Sequence, residues 1–166
     1  MEEPVKQQLQ QLNIGYNPNE DRLLFKVSAG GNLEYRLWFT RRFTRILLNF
    51  LVEKMNAYGG VDTIAVSDET QQEIKKGAFT KKYIKPDEPE YPLGEAGITP
   101  TQMKVTELPN KSLNVQFMNN ARKGMNLNMD KKMLFMMHNL LLQGLARAEW
   151  NLDIAQSFTA NASNVH

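Results

Sequence analysis

The stretch that decides the fold runs from residue 23 to residue 43 and reads LLFKVSAGGNLEYRLWFTRRF. Its apolar residues alternate with polar ones on both sides of Gly30-Gly31, which predicts an antiparallel hairpin with a tight turn. Thr40 is a favourable N-cap. After it the apolar spacing changes to three and four residues, which predicts a helix from Phe43 to about Met55. The stretch therefore predicts a strand–turn–strand–helix unit, with one face of the hairpin buried under the helix.

A second stretch repeats this plan 90 positions later. Setting Leu23 over Leu113 aligns the strands, the turn and the helix without a gap. The aligned strand pairs are Phe25/Val115, Val27/Phe117, Tyr35/Met125, Leu37/Leu127 and Phe39/Met129. Asp130 stands in the place of the cap Thr40, and a second apolar stripe follows it to about Trp150. Few of the aligned residues are identical, so a chance likeness between two similar units is the alternative to duplication. The shared apolar spacing and the shared caps favour duplication of one unit.

An extra strand is predicted before each hairpin. Leu12, Ile14 and Tyr16 alternate ahead of the first hairpin, and Met103 and Val105 alternate ahead of the second, one residue out of register. The predicted fold class is therefore α+β: two tandem strand–turn–strand–helix units that form antiparallel sheet with the helices packed on one face. Whether the two units share one sheet or form two stays open.

The same pattern predicts how the chain is organised. We expect a single domain over residues 1–166, with repeats at 12–58 and 102–152. Residues 61–100 form an insertion loop between the repeats, because glycines and prolines recur from Gly77 to Pro100. Residues 157–166 are small and polar, and they predict a disordered tail.

Composition limits the class of protein. The 166 residues are 42% hydrophobic and 23% charged, which is typical of a folded domain. No apolar run approaches the roughly 20 residues that span a bilayer, and the acidic start Met1-Glu2-Glu3 does not resemble a secretory signal. The chain has no cysteine, which excludes disulfides and thiol nucleophiles. We therefore expect a cytoplasmic protein with no membrane partner.

A basic and aromatic surface is the first candidate site. If Tyr35, Leu37 and Phe39 face the core, the intervening residues face away from it, and so does Lys26 on the neighbouring strand. The candidate binding residues here are Lys26, Arg36, Trp38, Arg41, Arg42 and Arg45. Aromatic rings beside cations suit single-stranded nucleic acid, because bases stack on the rings and phosphates meet the cations. The alternative, which we favour, is that Trp38 packs on a partner subunit or under the 61–100 loop.

The insertion loop carries the second candidate site. Lysines between residues 75 and 85 interleave with aromatic residues, and the candidates are Lys81, Lys82 and Tyr83. A basic loop of this kind can follow a phosphate backbone. The alternative is a solvated loop with no ligand, which is the commoner meaning of such a run.

Catalysis has little support in the sequence. No phosphate-binding, dinucleotide-binding, zinc-protease or hydrolase motif occurs. His138 is the only histidine in a predicted element, and its spacing offers it no acidic or metal-ligating neighbour. We predict that the protein is not an enzyme and binds no metal and no cofactor.

The run Glu34–Arg42, EYRLWFTRR, resembles a segment of an uncharacterised bacterial protein family with an E-Y-R-x-W-x-T-R-R signature. The resemblance covers mainly residues 21–55 and, more weakly, 101–145. Because that family carries no assigned activity, it implies no functional residue. The duplicated sheet-then-helix plan also resembles Whirly and related domains at the level of fold, which implies binding of single-stranded DNA.

Two functions of different class follow from these observations. The first is a non-enzymatic interaction protein, a subunit or accessory factor of a larger assembly, that binds a protein partner or a second copy of itself. It docks through the face that carries Trp38 and through the long loop. The alternative is a single-stranded nucleic-acid-binding module that uses the same basic and aromatic face.

Overall fold

The computed structural model describes residues 9–57 and 83–152, apart from the side chains of Leu9 and Gln10. The first unit consists of β1 (Leu9–Asn17), β2 (Arg22–Ala29), β3 (Leu33–Phe39) and α1 (Arg41–Ala57). The second consists of β4 (Gln102–Glu107), β5 (Leu113–Met118), β6 (Gly124–Met129) and α2 (Lys131–Ala148). The predicted α+β class and the two predicted extra strands, β1 and β4, are confirmed. The predicted tail 157–166 lies outside the described residues.

The strands form two separate antiparallel sheets, with the orders β1-β2-β3 and β4-β5-β6. The hairpins share one register, since Leu23 pairs with Phe39 as Leu113 pairs with Met129. The extra strands differ by one residue, because Ile14 pairs with Phe25 whereas Val105 pairs with Val115. The turn before β5 closes with a hydrogen bond from Leu108 N to Ser112 O and is one residue shorter than the turn before β2. This difference explains the register shift seen in the sequence.

Both predicted helix caps are present. The Thr40 hydroxyl accepts a hydrogen bond from the backbone N–H of Phe43 at 3.1 Å. The Asp130 carboxylate accepts one from the N–H of Met133 at 2.8 Å. Each bond satisfies a donor in the first helical turn that has no partner within the helix. The caps therefore fix the point at which each edge strand turns into its helix.

One aromatic cluster joins the two units. The ring of Phe39 lies 5.3 Å from that of Phe25, 5.2 Å from Phe43 and 6.0 Å from Phe117, measured between centroids. Phe25, Phe39 and Phe117 are fully buried. Because Phe117 belongs to β5 and the others to the first unit, the two sheets share a single core.

The helix of the second unit packs on the sheet of the first. Gly144 of α2 makes this approach possible, because a Cβ atom there would lie 2.8 Å from Ile14 Cγ2 and 3.1 Å from Leu23 Cδ1. Arg147 of the same helix donates a hydrogen bond to the carbonyl of Ile14 at 3.0 Å. The inner faces of both sheets are thus buried by helices, and their outer faces point away from this core.

Candidate functional site

The outer face of the first sheet carries the predicted basic and aromatic residues. We call the surface formed by Arg22, Lys26, Glu34, Arg36 and Trp38 the first outer face. Pairing places Lys26 opposite Arg36 and Leu24 opposite Trp38. The alternation of β2 and β3 therefore brings three of the predicted binding residues together, as the sequence indicated.

A segment of the chain itself lies across this face. Residues 83–99, which we call the covering segment, belong to the described part of the 61–100 loop and form no helix or strand. At one end, the N–H of Ile84 donates to the Gln11 side chain at 2.9 Å. At the other end, Arg22 donates to the Thr99 hydroxyl at 2.7 Å. The segment therefore contacts all three strands of the first sheet: β1 at its start, the edge of β3 in its middle, and β2 at its end.

Backbone hydrogen bonds fix the covering segment to β3. Glu34 N donates to Glu90 O at 2.9 Å, and Trp38 N donates to Ile98 O at 2.8 Å. In return, Glu90 N donates to Asn32 O and Ile98 N donates to Arg36 O. Gly97 has φ +76°, and a Cβ atom there would lie 2.6 Å from Arg36 O. Only glycine combines that backbone angle with so close an approach.

Trp38 lies under this segment. Its indole Nε1 donates to the carbonyl of Ala96 at 2.8 Å. The guanidinium of Arg22 lies 4.6 Å from the ring centroid on the indole face. The sequence left three partners open for Trp38, namely a nucleobase, a partner subunit and the 61–100 loop, and the hydrogen bond of its indole is to the loop.

Glu34 is the centre of a buried polar cluster. It is 0% exposed, and its carboxylate accepts hydrogen bonds from Arg36 Nε at 2.8 Å and from the Tyr83 hydroxyl at 2.6 Å. Arg36 also donates to Glu95 O at 2.7 Å and stacks at 4.6 Å on the ring of Tyr91. Burial, followed by the hydrogen bond to Glu34, raises the pKa of Tyr83 well above its ordinary value of 10. Tyr83 therefore remains a hydrogen-bond donor across the physiological pH range.

Lys26 contacts the covering segment, and the remaining predicted residues of the helix and the loop lie elsewhere or outside the described residues. Lys26 Nζ lies 5.8 Å from the centroid of the Tyr83 ring, so it belongs to the covered cluster. Arg42 and Arg45 are exposed on α1, away from that cluster. Lys81 and Lys82 lie outside the described residues. Among the described residues, Lys26, Arg36 and Trp38 therefore share the first outer face with Tyr83 of the covering segment, whereas Arg42 and Arg45 lie on α1.

Arg41 belongs to a different cluster, centred on Asp21. Asp21 Oδ1 accepts hydrogen bonds from Tyr16 at 2.7 Å and from Trp150 Nε1 at 2.8 Å. Asp21 Oδ2 accepts from Arg41 Nη2 at 2.6 Å. The Arg41 guanidinium also lies 5.3 Å from the centre of the Trp150 ring. This cluster connects the turn between β1 and β2 with the start of α1 and with Trp150, just after α2. No pattern in the sequence predicted it.

The Asp21 cluster predicts a specific acid sensitivity. Hydrogen bonds from Tyr16, then Trp150 and Arg41, lower the pKa of Asp21 from 3.8 to about 2. Because the folded pKa lies below the unfolded one, this stabilisation is present above about pH 4 and is lost as the pH falls toward 2. We expect Asp21→Asn to be less stable at neutral pH and to lose less stability between about pH 4 and pH 2. Urea denaturation across that range measures both, and equal losses in the two proteins would contradict the assignment.

The outer face of the second sheet differs in chemistry and in exposure. We call the surface formed by Gln102, Lys104, Asn114, Gln116, Asn126 and Asn128 the second outer face. Lys104, Asn126 and Asn128 are exposed, and Asn114 donates to Asn128 Oδ1 at 2.7 Å. Among the described residues, the bridges formed outside the named strands all lie along β3. Within residues 9–57 and 83–152, the first outer face is therefore the one that another segment of the chain pairs beside, and the second outer face keeps Lys104, Asn126 and Asn128 exposed.

The described part of the chain was also compared with the requirements of a metal site, a titrating histidine and a membrane-spanning helix. Residues 9–57 and 83–152 contain no group of three or more His, Asp or Glu side chains placed to hold a metal ion. Burial lowers the pKa of His138, so its imidazole is neutral at physiological pH. No helix among the same residues combines the length and the apolar character needed to cross a membrane.

Comparison of the sequence and the fold with known proteins gives no match. No family model, no curated protein and no solved structure matches the chain.

Proposed function

We propose that the protein is a non-enzymatic interaction protein, a subunit or accessory factor of a larger assembly, that docks through the second outer face. The observation that carries this proposal is the contrast between the two sheets. One outer face is covered by the chain's own residues 83–99, whereas the other presents Lys104, Asn126 and Asn128 to solvent. Two units of the same design thus differ in the surface available to a partner.

The chemistry of the second outer face suits a polypeptide partner. Its side chains are mostly carboxamides, which both donate and accept hydrogen bonds and carry no charge. A ligand that is recognised mainly through phosphates requires clustered cations. Lys104 is the one cation on the second outer face. Neutral donors and acceptors instead match the backbone and polar side chains of another protein.

The contacts of two carboxylates, Glu34 and Asp21, support a structural role for both residues. Glu34 is held by Arg36 and Tyr83, and Asp21 is held by Tyr16, Arg41 and Trp150. A general acid or base must reach a proton on a substrate. Both carboxylates already accept hydrogen bonds from the protein's own side chains, so they stabilise the fold.

A photo-crosslinking amino acid placed at Gln116 tests the proposal. We expect a discrete protein adduct in cells from position 116, and none from the matched position Lys26, which lies under the covering segment. The adduct should weaken when Lys104→Glu changes the same face, because Lys104 pairs with Gln116 across β4 and β5. The absence of protein adducts from position 116, or adducts that ignore Lys104→Glu, would contradict the proposal.

The alternative remains a single-stranded nucleic-acid-binding module of the Whirly-like type. Its specific support is that Lys26 and Arg36 already bind aromatic rings, those of Tyr83 and Tyr91. Nucleobases present similar ring faces to cations. For this function the covering segment must leave the first outer face. In the same crosslinking experiment it predicts nuclease-sensitive adducts from position 26 that decrease as the salt concentration rises.

A further inference from the structure

The two halves of the covering segment are held in different ways. Its second half, residues 91–99, buries Leu93 and Ile98 in the core. Its first half, residues 83–90, buries no side chain, and Ile84 in it is 70% exposed. Because buried apolar contacts oppose local opening, the first half is the part of the segment that opens more easily.

The contacts that fix the first half to the sheet are polar. The N–H of Ile84 donates to the side chain of Gln11 at 2.9 Å. The side chain of Asn32 donates to the carbonyl of Glu88 at 2.7 Å. Tyr83 adds a hydrogen bond to the buried carboxylate of β3 at 2.6 Å. Such bonds contribute little net free energy, because water replaces each of them when it breaks.

A buried hydroxyl without a partner lies beneath the first half. Ser28 is 1% exposed, and among the described residues its Oγ has no hydrogen-bond partner. Ser28 pairs with Gln11 on β1 and with Glu34 on β3, so the three side chains form one row on the outer side of the sheet. Because both neighbours bind the first half, that half separates Ser28 from water. A buried polar group without a partner raises the free energy of the closed state.

We propose that residues 83–90 are a releasable strap, which opens while residues 91–99 stay bound to β3. Opening exposes the row that contains Ser28 and breaks the bridge at Leu33, whereas the bridge at Leu37 remains. A local opening, and not unfolding of the sheet, thus controls access to this end of the first outer face. The device does not depend on the proposed function, which uses the second outer face.

Backbone amide exchange reports on the two bridges separately. The amides of Glu34 and Glu90 form the hydrogen bonds of the first bridge, and those of Trp38 and Ile98 form the hydrogen bonds of the second. After correction for intrinsic rates, we expect the first pair of amides to exchange at least about tenfold faster than the second in the wild type, because only the first bridge breaks when the strap opens.

Two substitutions should change the first bridge in opposite directions. Ser28→Ala removes the unpaired hydroxyl, which favours closure, so the first bridge should exchange about tenfold more slowly. Tyr83→Phe removes the hydroxyl that binds Glu34, so the first bridge should exchange about tenfold faster. Neither variant should change the second bridge, because Arg36 keeps its bonds to Glu34 and to the Glu95 carbonyl.

Three results would overturn the proposal. Equal protection of the two bridges in the wild type would mean that the segment opens as one unit. An unchanged first bridge in Ser28→Ala would mean that the buried hydroxyl does not oppose closure. Equal acceleration of both bridges in Tyr83→Phe would mean that Tyr83 does not hold the first half alone. Exchange of the first bridge that is nearly independent of low urea concentrations would support the proposal, because a local opening exposes little surface.

Discussion

Replacing Phe39 with alanine is expected to lower the free energy of unfolding by about 3–5 kcal/mol, the usual cost of removing a buried phenylalanine. The ring is 0% exposed and contacts Phe25, Phe43 and Phe117. Its loss leaves a cavity where the two units meet, so both units should be destabilised together. Urea denaturation followed by circular dichroism and by tryptophan fluorescence measures the effect.

Ile46→Ala is the control for Phe39→Ala. Ile46 is 44% exposed on α1, so its truncation leaves no internal cavity and should cost far less. The two probes should report one shared midpoint in Phe39→Ala, because the units share a core. Two separate transitions in the wild type, or equal losses in the two variants, would show that Phe39 does not join the units.

Much of the fold was predictable because its determinants are local. The alternation through Leu37 and Phe39 and the caps Thr40 and Asp130 depend on neighbours within a few residues. The division into two sheets was not predictable, because it depends on which strand edges meet in three dimensions. The register shift of β4 was visible in the sequence, but its cause is a turn one residue shorter.

The candidate site was predictable only in part. The alternation of side chains along β3 correctly predicted that Arg36 and Trp38 lie on the face opposite the core. The burial of Glu34 could not be predicted, because its partner Tyr83 is 49 positions away and lies in a loop without a periodic pattern. Asp21 has no sequence signal for the same reason, since Trp150 is 129 positions away.

Glu34→Ala is the second variant with a large expected effect. Removing one partner of a buried ion pair typically costs about 3–5 kcal/mol, because the other charge is left without compensation. Here the variant leaves Arg36, whose side chain is 18% exposed, without its carboxylate, and leaves Tyr83 without its acceptor. We expect the cost to fall first on the attachment of the covering segment, since Tyr83 and the Glu95 carbonyl both depend on this cluster.

Glu95→Ala is the matched control for Glu34→Ala. Glu95 belongs to the same segment and is exposed, and its contact with Arg36 uses the backbone carbonyl, which alanine retains. Its substitution should leave both the stability and the covering segment unchanged. A similar loss in the two variants would mean that the buried carboxylate does not hold the segment.

Residues 83–99 close the first outer face, and backbone amide exchange at Trp38 and Ile98 tests this closure most directly. Both amides form the hydrogen bonds that join β3 to the covering segment, at 2.8 Å and 3.1 Å. We predict slow exchange in the wild type and in Glu95→Ala, and exchange about 100-fold faster in Glu34→Ala, as a loss of about 3 kcal/mol implies. Rapid exchange of these two amides in the wild type would contradict the claim, because the first outer face would then be open.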